Sequence, residues 1–166
     1  MDGRGRQLSR EIEAVYRRRY GKFLRVAVAI LRDEQLAEEA VHDAFVRALR
    51  HRDDFDQRGV VEAWLWRIVV NEARRHRSTE RAEQRPLPAE AALATVTTNG
   101  HPERSPIEEI VATLPERQRL ALFLRYYADL DYDAIATALG VKPGTVAATL
   151  HAAHAALRRQ LLEVER

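Results

Sequence analysis

Apolar residues recur along most of this chain at the three-to-four spacing of helices that bury one face, and nowhere does the two-residue alternation of a strand persist. Leu36, Ala40, Val41, Ala44, Phe45, Ala48 and Leu49 fall on one such face and predict a helix. Upstream, Ile12, Val15, Tyr16, Phe23, Leu24, Ala27, Ile30 and Leu31 keep a similar rhythm and predict an earlier helix, weakened in its middle by Gly21. A charged, turn-rich loop from His51 to Gly59 follows. Val61, Trp64, Leu65, Ile68, Val69 and Glu72 then lie on or beside one face of a third helix. Three such helices can cover one another's apolar faces, so residues 1–78 read as one compact helical domain.

From Thr79 the periodicity fades. Pro86, Pro88, Gly100 and Pro102, with the stretch Thr95 to Asn99, read as a flexible linker over 79–105. Structure resumes at Ser105, Pro106, Ile107 and Glu108, where Ser is placed to cap, Pro to open and Glu to close a capping box. Leu114-Pro115 marks another helix start, and Leu120, Ala121, Leu124 and Tyr127 give that helix its stripe. Asp131 can cap a short helix carrying Ile135, Ala136 and Leu139. Gly140 and Val141 make a tight exit, and Pro143 opens a long helix to about Leu162 with Val146, Leu150, Ala153, Leu157 and Leu161 as its seam. A small Ala136 where the helices approach and a glycine able to take positive φ are the pattern of a helix-turn-helix. A plain αα-hairpin shares that periodicity, and pattern alone leaves both open. The expected fold is all-α, with two small helical domains joined by a flexible linker and the second, 106–166, ending in the helix-turn-helix.

Charge alters this picture. The chain's net charge is only +2, yet residues 1–78 hold 17 Lys and Arg against 13 Asp and Glu, whereas residues 107–166 hold 7 against 8. The basic N-terminal half suits a polyanion; the slightly acidic C-terminal half argues against strong electrostatic DNA binding there. On the third helix, Arg67, Asn71, Arg74, Arg75 and Ser78 fall in one arc, opposite Val61, Leu65, Ile68 and Glu72. Arg pairs with phosphates or guanine edges, Asn can read an adenine edge or an extruded base, and Trp64 at the border offers a stacking ring. Single-stranded or melted DNA fits that mixture. A solvated arginine face with Trp64 and Trp66 in the core fits the single helix as well.

Other chemistry lacks parts. The chain has no cysteine, which removes disulfides and thiolate metal sites and fits a reducing compartment. Glu39-x-x-His42 has half the spacing of a di-iron bundle and His151-x-x-His154 puts two imidazoles together, but neither has a complete ligand set, so no metal or other cofactor is expected. Ser9, Ser78 and Ser105 lack a nucleophile-elbow context and no glycine loop cradles a phosphate, so an enzyme is not expected. No apolar run reaches the roughly 18 residues of a membrane span, and Met1 to Arg10 is polar. A cytoplasmic protein without membrane insertion is the expectation.

Several stretches together resemble the extracytoplasmic-function sigma factors of the sigma-70 family. They are Ala37 to Phe45 (AEEAVHDAF), Ala63 to Arg74 (AWLWRIVVNEAR), Leu114 to Arg119 (LPERQR), Tyr132 to Ala136 (YDAIA), Gly140-Val141 and Gly144-Thr145-Val146. The resemblance runs from about residue 10 to 162 and keeps the family's order and spacing. It implies a factor that directs core RNA polymerase to promoter DNA. The second helix would dock on the polymerase clamp helices through Glu39, His42, Asp43 and Arg47, His42 standing where the family usually has Gln. The His51 to Gly59 loop and the third helix would read and open the minus-ten element through Phe55, Asp56, Trp64, Arg67, Asn71, Arg74 and Arg75, with Phe55, Asp56 and Asn71 around an extruded base.

The resemblance also implies a C-terminal domain that meets the polymerase flap and reads the minus-thirty-five element through Lys142, Thr145, Thr149, His151 and Arg158, and it implies an anti-sigma partner. Here the chain departs from its family, which usually carries several Lys or Arg where this sequence has Ala147, Thr149, Ala152 and His154. No permanent cation lies between Lys142 and Arg158, and Thr145, Ala148, Ala152, Ala155 and Arg159 project furthest from the seam. Such a face grips phosphates poorly, so weakened minus-thirty-five binding is expected. His151 and His154 are left as conditional donors, and a protein-contact face is the other reading. The alternative function is a sigma-like regulator or anti-sigma-binding decoy without initiation activity.

Overall fold

The computed structural model describes residues 3–56, 58–83 and 106–164, and all regular structure among them is helical. Helix α1 (Gly3–Leu31) begins well before Ile12 and passes unbroken through Gly21. A mid-helix glycine costs about 1 kcal/mol relative to alanine. Burial of Phe23, Val26, Ala27 and Ile30 in the following turns outweighs that. Asp33 caps α2 (Glu34–Arg50), its side chain accepting from the Leu36 N–H at 2.8 Å, and Arg47 and Arg50 sit in the last turn where cations oppose the helix dipole. The buried face runs through Ala37, Ala40, Val41, Ala44, Phe45 and Ala48. Leu49, expected inside, is 40 % exposed because that face turns past it at Ala48.

A 3-10 turn (Arg52–Asp54) leads to α3 (Val61–Glu83), which continues past residue 78. The rest of the stretch read as a linker, including the expected Ser105 cap, lies outside the described residues. Trp66 is fully buried where α1, α2 and α3 meet. Its ring lies 4.2 Å from that of Phe23, which in turn meets Phe45 at 5.3 Å, and Tyr16 closes on Phe45 at 4.6 Å.

The second half holds α4 (Pro106–Thr113), α5 (Glu116–Leu122), a π-helical turn (Phe123–Tyr127), α6 (Tyr132–Leu139) and α7 (Pro143–Val164). The π turn, absent from the sequence expectation, ends at Asp129 in the left-handed region (φ 57), after which Leu130 N–H returns to the Leu124 carbonyl at 3.0 Å. Asp131 caps α6 by accepting from Ala134 N–H at 2.8 Å, and Gly140 takes φ 65 at the turn into α7. The helix-turn-helix geometry is therefore present as expected. The α7 seam is shorter than expected: Val146, Leu150 and Ala153 are buried, Leu157 is partly so, and Leu161 is exposed. With 22 residues α7 outruns α5 and α6, of 7 and 8, so its last turns have little to pack on.

The two halves close on one another. α3 packs across α6 and α1 meets α5 and the π turn, so a single buried core runs through both.

Trp66 offers a direct check on this core. Its indole N–H finds no hydrogen-bond partner among the described residues, so its contribution is taken as packing alone. Denaturant unfolding should show Trp66→Ala losing about 3–5 kcal/mol. Trp66→Phe should lose well under half of that, and equal losses would contradict a purely apolar role.

Candidate nucleic-acid interface

Helix α3 presents three sides. Val61, Leu65, Val69 and Glu72 turn into the N-terminal bundle. Ala63, Val70 and Ala73 make a second buried flank. Arg67, Asn71, Arg75 and Ser78 remain exposed. The sequence pattern revealed the first and third sides. It missed the second, because Ala and Val at Ala63, Val70 and Ala73 are too small to mark a flank before a partner helix is known.

Glu72, expected among the apolar residues, is the one buried charged side chain among the described residues. Its Oε1 meets Arg47 Nε of α2 at 2.5 Å, while Oε2 accepts from Arg75 Nη2 at 2.6 Å and Nε at 2.8 Å. Asp43 extends the network, accepting from His76 Nε2 at 2.9 Å and lying 3.9 Å from Arg75. Asp43, Glu72 and His76 come within metal-ligand distance of one another. Both Glu72 oxygens are already held by guanidinium groups, and two flanking cations oppose a third, so the group is an ion-pair network.

The candidate minus-ten residues thus divide. Arg67 and Asn71 are exposed and make no ion pair or side-chain hydrogen bond among the described residues. Arg75 is tied to Glu72. Arg74 Nε lies 3.1 Å from Glu116 Oε1, and Arg77, which the sequence reading overlooked, reaches Glu116 Oε2 at 2.5 Å. Phe55 and Trp64 are brought together, ring centroids 5.2 Å apart and both half-buried. Asp56 accepts from the Arg58 N–H at 3.0 Å, which shapes the loop into α3. From Trp64 to Arg75 the face extends about 16 Å at the helical rise of 1.5 Å per residue.

Other candidates separate similarly. On α2, Glu39 and His42 are exposed, whereas Asp43 and Arg47 turn toward α3. On α7, Lys142, His151 and Arg158 are exposed, while Thr145 and Thr149 are half-buried and the Thr149 hydroxyl donates to the Thr145 carbonyl at 2.7 Å. His154 is not free for DNA: its Nε2 lies 2.8 Å from the Tyr126 hydroxyl. Ala147, Ala148, Ala152 and Ala155, with His151, make up most of the exposed surface between the cations.

Where the halves meet, cations come from the first and acceptors from the second. Besides Arg74 and Arg77 on Glu116, Lys22 Nζ lies 2.6 Å from Asp129, Arg32 reaches the Ala112 carbonyl at 3.4 Å, and the Arg25 guanidinium sits 4.8 Å from the Tyr127 ring centre. Arg67 borders a shallow cleft whose other wall is Asp133, Ala136, Thr137, Gly140, Val141 and Pro143. Burial works against the Glu116 charge, but hydrogen bonds from Arg77 and Arg74 outweigh it and hold the carboxyl below its usual range. The hydrogen bond from Lys22 does the same for Asp129.

The family model for Sigma-70 region 2 matches residues 15–83, and that for Sigma-70, region 4 matches residues 104–157. The chain is 31 % identical to an RNA polymerase sigma-E factor of Streptomyces avermitilis, covering 91 % of this chain and 85 % of that protein. To an RNA polymerase sigma-H factor of Pseudomonas aeruginosa it is 30 % identical, covering 84 % and 80 %. In structure it resembles CnrH, solved in complex with the cytosolic domain of CnrY, with a TM-score of 0.68 at 23 % identity over 98 % of this chain and 96 % of the other. The sigma factor RpoE of Bartonella quintana, solved with the anti-sigma factor NepR, gives 0.67 at 21 % over 94 % and 99 %.

Two expectations follow from the ion pairs. Arg47 and Arg75 are half-exposed and rehydrate if Glu72 is removed, but removing both arginines strands a buried carboxylate. Unfolding measurements should therefore show the Arg47→Ala, Arg75→Ala double variant losing about 3–5 kcal/mol, more than Glu72→Gln, with the reverse order contradicting the network. A depressed carboxyl pKa contributes stability that is present above the unfolded value, about 4.3 for Glu and about 3.9 for Asp, and lost as pH falls through the folded one. Glu116, with Arg74, Arg77 and Arg119 around it, and Asp129, with Lys22, Arg19 and Arg125, both act in this direction. Scattering should show the halves separating as pH drops below the usual carboxylate range; separation on raising pH through neutrality would run against the sign.

Proposed function

The chain belongs to the extracytoplasmic-function sigma factors of the sigma-70 family, which bind core RNA polymerase and direct it to promoters, and from that premise we propose how its surfaces divide the work. Residues up to Glu83 carry polymerase docking and minus-ten recognition, the stretch from there to 105 connects, and 106–166 address the minus-thirty-five element. The reading rests foremost on the exposed side of α3, where Arg67 and Asn71 stand open beside the Phe55 and Trp64 ring pair. Those groups supply what an unpaired base needs: a donor and acceptor amide, an aromatic surface, and a cation for the adjoining phosphate. Asp56 orders the loop beside them, and Arg74 and Arg75 extend the cationic side. Sigma factors bring no catalytic chemistry of their own; the polymerase makes the bonds.

On α2, Glu39 and His42 face outward as the polymerase contacts for the clamp helices. Asp43 and Arg47 serve the same surface from behind, since their partners lie on α3. The flap is met by the C-terminal half. An anti-sigma factor is proposed as the controlling partner, in keeping with the structural neighbours solved in complex with such proteins or with a cytosolic domain. No helix among the described residues is long and apolar enough to cross a membrane, which accords with work in the cytoplasm.

Minus-thirty-five binding is proposed to be weak. Lys142 and Arg158 stand about 24 Å apart along α7, with His151 and alanines exposed between them. Thr145 and Thr149 offer little, being half-buried with one hydroxyl internally bonded.

Reconstituted transcription with core polymerase tests the assignment. Asn71→Ala should lower initiation by about tenfold, as expected for losing a base contact of roughly 1–3 kcal/mol, while core binding stays intact. Initiation at wild-type levels from the Asn71→Ala variant would remove Asn71 from the interface. On α7, Ala147→Lys with Ala152→Lys, both at exposed positions, should strengthen duplex binding and steepen its log-log salt dependence by about 0.9 for each phosphate gained.

A further inference from the structure

We propose that Arg74 and Arg77 form a phosphate clamp on α3, and that in the closed chain Glu116 occupies it in place of a nucleic-acid phosphate. Two guanidinium groups one helical turn apart converge on the two oxygens of one carboxylate, at 3.1 and 2.5 Å. Each arginine gives one charge-assisted bond to a separate oxygen, an arrangement that two oxygens of a phosphate can also accept. All three side chains are about a fifth to a third exposed, so the site lies at the rim, within reach of a strand running along α3. Arg77 belongs to none of the residues assigned above to DNA, and it continues the line of Arg67 and Arg74 along the helix margin.

Glu116 opens α5, so its occupation of the clamp fastens the C-terminal half over that margin. Asp129 on Lys22 makes the same kind of contact on α1. Both are rim ion pairs of modest strength, because solvent screens them. They add to the apolar packing of α3 on α6 and of α1 on α5, and the halves, sharing one chain, meet at an effective concentration on the order of millimolar. A polyanion on α3 must displace Glu116, and displacement opens the chain. Clamp occupancy by DNA and domain closure are therefore mutually exclusive.

The clamp deepens the assignment of α3 to DNA and rests on that reading. The full chain is titrated with a short mixed-sequence single-stranded oligonucleotide at low salt. Glu116→Gln keeps the shape but removes the charge. It should raise affinity about threefold to fivefold with little change in salt dependence, because the same phosphate enters the clamp in both chains. Adding Arg77→Ala to that variant should abolish the gain. Scattering should show the wild-type chain expanding as the oligonucleotide binds.

Unchanged affinity in Glu116→Gln overturns the clamp, as does a gain that survives Arg77→Ala, or binding without expansion. Circular dichroism establishes that each variant is folded, and Glu116→Ala, expected to behave as Glu116→Gln, provides a second removal of the charge. Promoter-directed initiation by the wild-type chain separates the two levels. If initiation is intact but the variants fail these expectations, the clamp alone falls; if they behave as stated without initiation, the division of surfaces proposed above falls instead.

Discussion

A single buried carboxylate sets the geometry on which this molecule's surfaces depend. Glu72 lies among apolar neighbours between α2 and α3, where an unpaired charge would cost several kcal/mol, and it is held there by Arg47 from one helix and Arg75 from the other. A carboxylate accepting from two sides tolerates little rotation of either helix. With Trp66 packed on Phe23 a turn and a half away, it fixes which residues of α3 face the core and which face out. Arg67 and Asn71 are exposed because Glu72 is not. The same network runs from the helix assigned to polymerase to the helix assigned to DNA, so the two surfaces are joined by side chains in direct contact.

The second constraint comes from the shape of α3. A helix buried on one side leaves an arc of more than half its circumference open, and here part of that arc is taken by α6. Small residues at Ala63, Val70 and Ala73 make that approach possible without large side chains to displace. Their burial brings Glu116 within reach of Arg74 and Arg77. The charge division of the chain then has an internal meaning. The surplus of cations before residue 79, which suggests an external polyanion, is met within the closed molecule by acids of the second half at Glu116 and Asp129.

Local signals in the sequence were the legible ones. The Asp131 cap, the left-handed Gly140 and the start of α7 at Pro143 are each dictated by one residue's backbone or capping chemistry, and each is found as expected. The exposed arc of Arg67, Asn71 and Arg75 was equally visible, since a charged face has one phase relative to large apolar residues. What escaped depended on distant partners. Arg74 and Arg75 look alike in a helical projection, yet one ends on a residue of α5 and the other on a neighbour three positions back. Glu72 falls on the apolar side in projection, but the two guanidinium groups that make its burial tolerable become apparent only once α2 is in place. Leu161 continues the α7 rhythm, and rhythm carries no information about where the packing partners stop.

The two surfaces proposed to meet nucleic acid are consequently limited in opposite ways. The α3 face has the donors, the ring pair and the cations, but its margin is bound by an acid of the same chain. The α7 face is open to solvent, but it lacks donors where a duplex would lie. Opening the closed form therefore restores the strong surface and adds little to the weak one. Charge explains the asymmetry. A helix that must release its own carboxylate needs enough cations to be attractive without it, and α3 has them. A helix with alanines across its exposed face forms no comparable internal pairs and offers phosphates little to hold. On the proposed division of surfaces, promoter selection falls chiefly to whatever gains access to α3, with α7 contributing mainly by how the C-terminal half is positioned once that access is given.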